Sequence, residues 1–435
     1  MSIFAGVKGK KYIMSGKTKL KKYALDSSAT FYPFLTSKKT QSMFSVGVVL
    51  DSDIDGDVLG RAVNDAIVRF PFYKTKLVRG YGKYSLKENC AEVKVFEIGS
   101  RILKPIDTGL TNGYQFRLAY KGNRIVLEMF HALADANGAI AFLFAVVRRY
   151  KELLGAEFDE SCEVWSWDGT AREGETEDAF KKHYKKISLK DLNLKDMAGE
   201  APHRIKGTLL KDGYILDEGV FDTAELLASS RELGVSLTAY IAGAVAYGIM
   251  KTESVKRPIA IMIPVNLRKM FPSETLANFI TFVRLVIKKD ECATFEECVR
   301  SCAKQLIEKA SKEKMQAFVS TTVRAQRNII FRAVPLPLKW IFMRLGRLFL
   351  KSRQTIIISN LGRYELPDEL GIREMIVNLN VSKNNVQNLG IVTCDGRTKL
   401  TFTSAISELT MPSSVFKTLE ERGHKIMKTD FIHTN

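Results

Sequence analysis

Cysteine, histidine and tryptophan are scarce in this chain of 435 residues, which contains six, five and three of them. The cysteines follow none of the spacings of a disulfide framework or a zinc site, so we predict neither, and no other metal site. Cys298 and Cys302 share one side of a predicted helix with apolar residues, which favours packing in a core.

Long apolar runs are also absent. No uninterrupted run reaches the length of a membrane-spanning helix, and the start, Met1 to Phe4, lacks the apolar core and cleavage site of a secretory signal. We therefore expect a cytoplasmic protein.

Acidic residues are outnumbered: 48 Asp and Glu stand against 66 Lys and Arg, for a net charge of +18. Such a surplus suits polyphosphates, acidic carrier proteins, anionic membranes or nucleic acids as partners, although solvated surfaces also explain it. No zinc finger, helix-turn-helix signature or RNA-binding aromatic motif accompanies the charge, so a nucleic-acid partner is not expected.

Strand and helix patterns mix on both sides of a polar stretch at 157–206. With 46% hydrophobic and 26% charged residues, the chain has the composition of a globular protein of about two domains. We predict an α/β (mixed α+β) fold with domains at 1–156 and 207–435, each an open mixed sheet with helices, and a connection at 157–206. A cleft between two such halves is a preferred place for a site. Because one chain can build such a site alone, we expect a monomer.

The clearest chemical signal lies where a predicted strand, Arg124–Phe130, meets a predicted helix, 138–150. His131 and Asp135 stand at this junction with the spacing H-x-x-x-D. An imidazole there, with a carboxylate four residues on, suits a general base with a structural anchor. A buried structural histidine is the alternative, and spacing alone leaves it open.

The segment 334–350 is the most hydrophobic and basic stretch of the chain. An amphipathic helix packed on its own domain is the favoured interpretation. A weak contact with a membrane surface is the other.

Three motifs in order resemble the superfamily of coenzyme-A-dependent acyltransferases built like chloramphenicol acetyltransferase, which includes peptide-synthetase condensation domains and, as the most similar branch, bacterial alcohol acetyltransferases. They are His131 to Gly138; Ile263 to Arg268 with Phe271, Pro272, Ser273, Thr275, Asn278 and Phe279; and Ile358 to Gly362 with Pro367. The resemblance implies two chloramphenicol-acetyltransferase-like domains with a tunnel between them.

The resemblance also implies roles for individual residues. His131 would be the general base, and Asp135 would pair with Arg268 to hold the loop. Ser359 and Asn360 would line the tunnel near the acyl carbonyl, although they also suit an ordinary turn. Asn278 and Gly138 complete the predicted substrate-binding set, with Gly138 expected mainly to allow close packing.

The implied reaction moves an acyl group from acyl-CoA, as co-substrate, or from an acyl carrier protein to an alcohol or lipid-like acceptor, with no permanently bound cofactor. The alternatives are carrier-protein-dependent amide condensation and a catalytically silent binding protein of the same fold. Two departures bear on the choice: Phe130 stands where many relatives have a first histidine, and Ala136 where many have glycine.

Overall fold

The computed structural model describes residues 20–37, 41–98, 103–159, 162, 164–186, 200–328, 333–349 and 353–434. The start at Met1 to Phe4 lies outside them. The helices are α1 Gly56–Ala66, α2 Ala136–Leu153, α3 Ala179–Lys182, α4 Thr223–Glu232, α5 Leu237–Thr252, α6 Phe295–Lys309, α7 Lys312–Arg327, α8 Leu336–Phe349 and α9 Thr410–Glu421. Short 3₁₀ helices lie at Ala29–Leu35, Ile67–Arg69, Glu173–Thr176, Leu267–Lys269 and Asp368–Leu370.

The strands form three open sheets. They are β1 Lys22–Ala24, β2 Met43–Leu50, β3 Thr75–Arg79, β4 Tyr84–Glu88, β5 Val95–Glu97, β6 Phe116–Lys121, β7 Arg124–Phe130, β8 Tyr214–Asp222, β9 Ile259–Asn266, β10 Ile280–Ile287, β11 Ile356–Tyr364, β12 Ile372–Leu379, β13 Gln387–Cys394, β14 Arg397–Ser404 and β15 Lys428–Thr434. A five-stranded sheet has the order β12-β2-β7-β6-β5, a seven-stranded sheet the order β10-β9-β11-β13-β14-β8-β15, and a small sheet the order β1-β4-β3.

The five-stranded sheet centres the first lobe, and β12 reaches it from the C-terminal half of the chain. β12 pairs antiparallel with β2, with Met375 opposite Val48. The next strand, β13, is back in the seven-stranded sheet between β11 and β14. The predicted boundaries at 156 and 207 made no provision for this exchange.

Each lobe has its own core. The first gathers buried side chains of β2, β7, α1 and α2, together with Leu276, Leu370, Ile372 and Met375 from the second half. The second gathers those of β9, β10, α5 and α6, with Cys298 and Cys302 among them. The predicted mixed α/β architecture of two sheet-and-helix halves is therefore confirmed.

A side-chain cap defines the start of α2, the helix that follows His131. Asp135 accepts hydrogen bonds from the backbone nitrogens of Asn137 and Gly138, so α2 begins two residues before the predicted start at 138.

Among the described helices, no single one has the length and hydropathy of a membrane span. Helices α4 and α5 have that length and hydropathy only when they are taken as one segment, and this segment is bent by 84° between them.

Candidate functional site

His131 directly follows β7, at the edge where the first lobe faces the second. Its backbone nitrogen donates to the Ser42 carbonyl (2.9 Å). The half-buried ring stacks on Tyr32, with centroids 5.3 Å apart and planes at 18°, and meets Phe44 at 4.5 Å. Two aromatic neighbours thus restrict how the imidazole turns.

Asn278, from the second half of the chain, fixes the orientation of His131. Its Nδ2 donates to the His131 carbonyl (2.8 Å) and to Asp26 Oδ2 (3.0 Å). The amide oxygen therefore faces the imidazole, where Oδ1 lies 3.5 Å from Nδ1. With its proton on Nδ1, the ring would donate to this amide oxygen and keep a lone pair on Nε2.

Burial lowers the pKa of His131, because desolvation disfavours the imidazolium. The hydrogen bond with Asn278, the charge of Asp135 and the Ala134 carbonyl oppose that effect without cancelling it. The ring is therefore neutral at pH 7, as a proton acceptor must be.

Asp135 is 1% exposed and directs its carboxylate to the second lobe. Oδ2 accepts from Arg268 Nη1 (2.8 Å) and from the Phe279 backbone nitrogen (2.8 Å), while Oδ1 caps α2. Asp135 thus ties the loop that carries His131 to the helix start and to the other lobe.

Arg268 lies in the 3₁₀ helix after β9, and Asp135 is not its only partner. Its guanidinium also donates to the carbonyls of Thr275 and Ala277, at 2.9 and 2.7 Å from Nη2. Breaking such a buried charge pair by removing one partner typically costs about 3–5 kcal/mol. The ion pair that the resemblance implied is therefore present as an interlobe clasp, whereas its catalytic importance stays a prediction.

Asp26 belongs to the site, and sequence reasoning assigned it no role. It is 3% exposed; Oδ2 accepts from both nitrogens of Asn278, and Oδ1 accepts from the backbone of Ser28 and Ala29. Burial raises its pKa to about 6, although these hydrogen bonds oppose the shift. Asp26 fixes Asn278, which in turn fixes His131.

The remaining predicted residues lie in or against the second lobe. Ser359 and Asn360 are on β11, where Asn360 donates from Nδ2 to Thr238 Oγ1 (3.0 Å) and accepts from the Gly362 nitrogen (2.9 Å). These bonds hold the amide within its own lobe. A substrate contact for Ser359, Asn360 or Asn278 stays a prediction.

Gly138 is a packing residue in this geometry. A Cβ placed on it would lie 2.1 Å from the Leu276 carbonyl oxygen and 2.3 Å from the Tyr73 hydroxyl. Tyr73 itself donates to Leu276 O (2.8 Å). The start of α2 therefore approaches the second half of the chain as only glycine permits.

A cavity of about 920 Å³ lies between α2 and the segment after β11. Its walls include Asn137, Phe144, Trp165, Tyr364 and Pro367, and His131 is not among the residues that line it. We therefore assign this cavity no part in the His131 site. Within the described ranges, no group of three or more His, Cys, Asp or Glu side chains could hold a metal ion.

Comparison by sequence finds no relative: no known family profile and no curated protein matches the chain. Solved structures do match in fold. The epimerization domain of the third module of tyrocidine synthetase B has a TM-score of 0.61 at 11% identity, over 92% of this chain and 95% of its own. The trichothecene 15-O-acetyltransferase of Fusarium sporotrichioides has a TM-score of 0.59 at 9% identity, over 94% of this chain and 95% of its own. A variant of the starter condensation domain of rhizomide synthetase was crystallised with C8-CoA and Leu-SNAC. It has a TM-score of 0.58 at 12% identity, over 92% of this chain and 93% of its own.

The chain therefore has the two-lobed fold shared by condensation domains and chloramphenicol-acetyltransferase-like acyltransferases, as the motifs predicted. At these identities the likeness shows the fold alone, and the solved structures differ in their chemistry.

Proposed function

We propose that this protein is an acyltransferase that moves an acyl group from a thioester, either acyl-CoA or an acyl carrier protein, to an alcohol or lipid-like acceptor. The observation that carries the proposal is the placement of His131: a half-buried ring stacked on Tyr32, with Nδ1 3.5 Å from Asn278 Oδ1. Burial lowers the pKa of the ring, which favours the neutral form that can accept a proton on Nε2. The fold supports it, because solved structures with this architecture include an O-acetyltransferase and a condensation domain bound to C8-CoA.

In the proposed reaction, His131 Nε2 removes the proton from the acceptor hydroxyl. The oxygen attacks the thioester carbonyl, and a tetrahedral oxyanion forms. When the C–S bond breaks, the departing thiolate takes the proton back from the imidazolium, so the ester and the free thiol are the products. Ser359 and Asn360 are the candidates to bind the oxyanion, and the two reactants would enter a passage between the lobes.

The departures from the usual motif do not remove this machinery. Phe130 is 1% exposed and packs with Met43, Ile106 and Ala132, so its position serves the core. Ala136 is the first residue of α2, directly after the Asp135 cap. Both leave the contacts of His131 intact.

The test is release of free thiol from acyl-CoA of several chain lengths in the presence of alcohols, with His131→Gln and His424→Gln as matched variants. His424 is a buried histidine of the second lobe whose Nε2 contacts the Tyr240 hydroxyl (2.8 Å). We expect His131→Gln to lower kcat by at least about 100-fold, and His424→Gln to change stability only.

Acyl groups loaded on a carrier protein, offered with alcohols or amines, form a second arm. Turnover with the carrier-bound donor and an amine alone would favour the condensation alternative. An inert wild type with every donor, or full activity of His131→Gln, would favour a silent binding protein.

A further inference from the structure

Helix α8, Leu336–Phe349, has apolar side chains on two opposite faces. On the inner face Leu336 is 6% exposed, and Trp340 and Met343 pack against the core of the first lobe. On the outer face Leu338, Ile341 and Phe342 are 48%, 54% and 64% exposed. A helix needs only the first face to pack on its own protein, so the outer face requires another explanation.

A second element extends the outer face. The hairpin between β3 and β4 places Tyr81 next to α8, because the Leu336 backbone nitrogen donates to the Tyr81 carbonyl (3.2 Å). The Tyr81 side chain is 83% exposed, and Arg79 and Lys83 on either side are exposed as well. We call Tyr81, Leu338, Ile341 and Phe342 the apolar patch.

The sequence that contains α8 is rich in positive charge. Residues 314–364, which contain α8, include ten Lys or Arg and no Asp or Glu. Apolar side chains in a strongly basic setting match the chemistry of an anionic lipid surface, whose headgroups attract the cations while its acyl boundary accepts the apolar groups.

We propose that the apolar patch docks this protein on an anionic lipid surface, with α8 lying in the interfacial plane. An acidic protein partner would also match the charge. However, positions 338, 341 and 342 offer such a partner no hydrogen-bonding side chain, whereas a hydrocarbon boundary needs none. Tyr81 suits the same setting, because its ring is apolar and its hydroxyl stays hydrated.

A series of contacts connects α8 to the His131 site. Trp340 Nε1 donates to the Tyr84 hydroxyl (3.0 Å), and the Tyr84 ring meets Phe34 edge-on at 5.6 Å. Phe34 belongs to the 3₁₀ helix Ala29–Leu35, which also carries Tyr32, the ring stacked on His131. Docking there would place the lipid surface on the lobe that carries the proposed base. This deepens the proposed function toward lipid-like substrates, although docking itself does not depend on acyl transfer.

The experiment is vesicle co-sedimentation of the full chain with phosphatidylcholine alone and with phosphatidylcholine mixed with phosphatidylglycerol. The test variant is the double substitution Ile341→Asp with Phe342→Asp. The matched control is Ile307→Asp, which changes an equally apolar side chain, 76% exposed, on α6 of the second lobe. We expect wild type and Ile307→Asp to bind the anionic vesicles alike, more weakly as salt is raised, and the double variant to bind at least about tenfold more weakly.

Absence of wild-type binding to anionic vesicles, or equal binding by the double variant, would overturn the proposal. So would loss of binding to an acidic carrier protein in the double variant while vesicle binding is unchanged. Thiol release with a water-soluble alcohol is measured in parallel for all three proteins. Because docking and catalysis have separate readouts, failure of one is distinguishable from failure of the other.

Discussion

His131 is held by contacts from residues that are far apart in the chain. Tyr32 and Phe44 restrict the ring, and Asn278 binds both its Nδ1 and its backbone carbonyl. Asp26 then accepts two hydrogen bonds from Asn278, across 252 positions of sequence. Proton transfer requires a base with a defined orientation, and this arrangement provides it.

The pH dependence of thiol release is the residue-scale prediction. The pKa of His131 lies below its ordinary value of 6.5, so the neutral ring persists to lower pH, and we expect the acidic limb of kcat/KM below 6.5. The hydrogen bond with Asn278 raises the pKa of His131. Asn278→Ala should therefore move the limb to still lower pH and reduce kcat by roughly tenfold, because the ring loses its orientation.

Asn64→Ala is the matched control for that variant. Asn64 also bridges backbone groups: it donates to Gly60 O and Val93 O and accepts from the Val93 nitrogen. Neither partner belongs to the His131 site. It should change stability but not the pH profile. A wild-type limb above pH 7, or an unchanged limb in Asn278→Ala, would contradict the proposed role of His131.

Sequence reasoning located His131 and Asp135 because a strand, a turn and a helix are local patterns. Arg268 followed only from the resemblance, since an arginine after a strand is usually a surface residue. Asp26 was not predicted as a site residue: nothing near it in sequence indicates a partner at 278.

At the scale of elements, the close approach of α2 to the second lobe depends on Gly138. We expect Gly138→Ala to lower the free energy of unfolding by about 1–3 kcal/mol, since its Cβ would overlap the Leu276 carbonyl and one of the two elements must move. The measurement is chemical denaturation, with thiol release as a second readout, because displacement of α2 also displaces Asp135.

Gly60→Ala is the opposite case. Gly60 lies inside α1, and a Cβ there meets no atom within 4 Å. Alanine should stabilise that helix by about 0.5–1 kcal/mol. Equal effects of the two substitutions would show that helix propensity, and not the interlobe contact, decides the outcome at Gly138.

Local sequence patterns predicted individual strands and helices better than they predicted which of these elements pair or pack together. The chain was expected to form a helix that carries Cys298 and Cys302 and an amphipathic helix near α8, and both are present. The pairing of β12 with β2 was not predicted, because strand partners more than 300 residues apart leave no local signature. The exposed outer face of α8 needed the structure too, since periodicity cannot distinguish which of two apolar faces packs.

At the scale of the whole molecule, the second half of the chain contributes a strand and buried side chains to the first lobe. β12 hydrogen-bonds along β2, and Leu370, Ile372 and Met375 are buried in the core of the first lobe. The Asp135–Arg268 pair and the Tyr73–Leu276 hydrogen bond add polar contacts between the halves. The site is therefore a product of both halves: His131 and Asp135 come from the first, and Arg268 and Asn278 from the second.

This exchange predicts that the first lobe does not fold alone. A fragment of residues 1–206 lacks the edge strand β12 and the side chains that complete its core, so we expect it to bind a hydrophobic dye and to unfold without a cooperative transition. A second fragment, with residues 366–381 attached through a flexible linker, should recover cooperative unfolding in part, because the missing strand and its buried side chains return. A scrambled version of the same segment is the control. If the fragment 1–206 unfolded as cooperatively as the full chain, β12 would be a peripheral addition and not part of the first lobe's core.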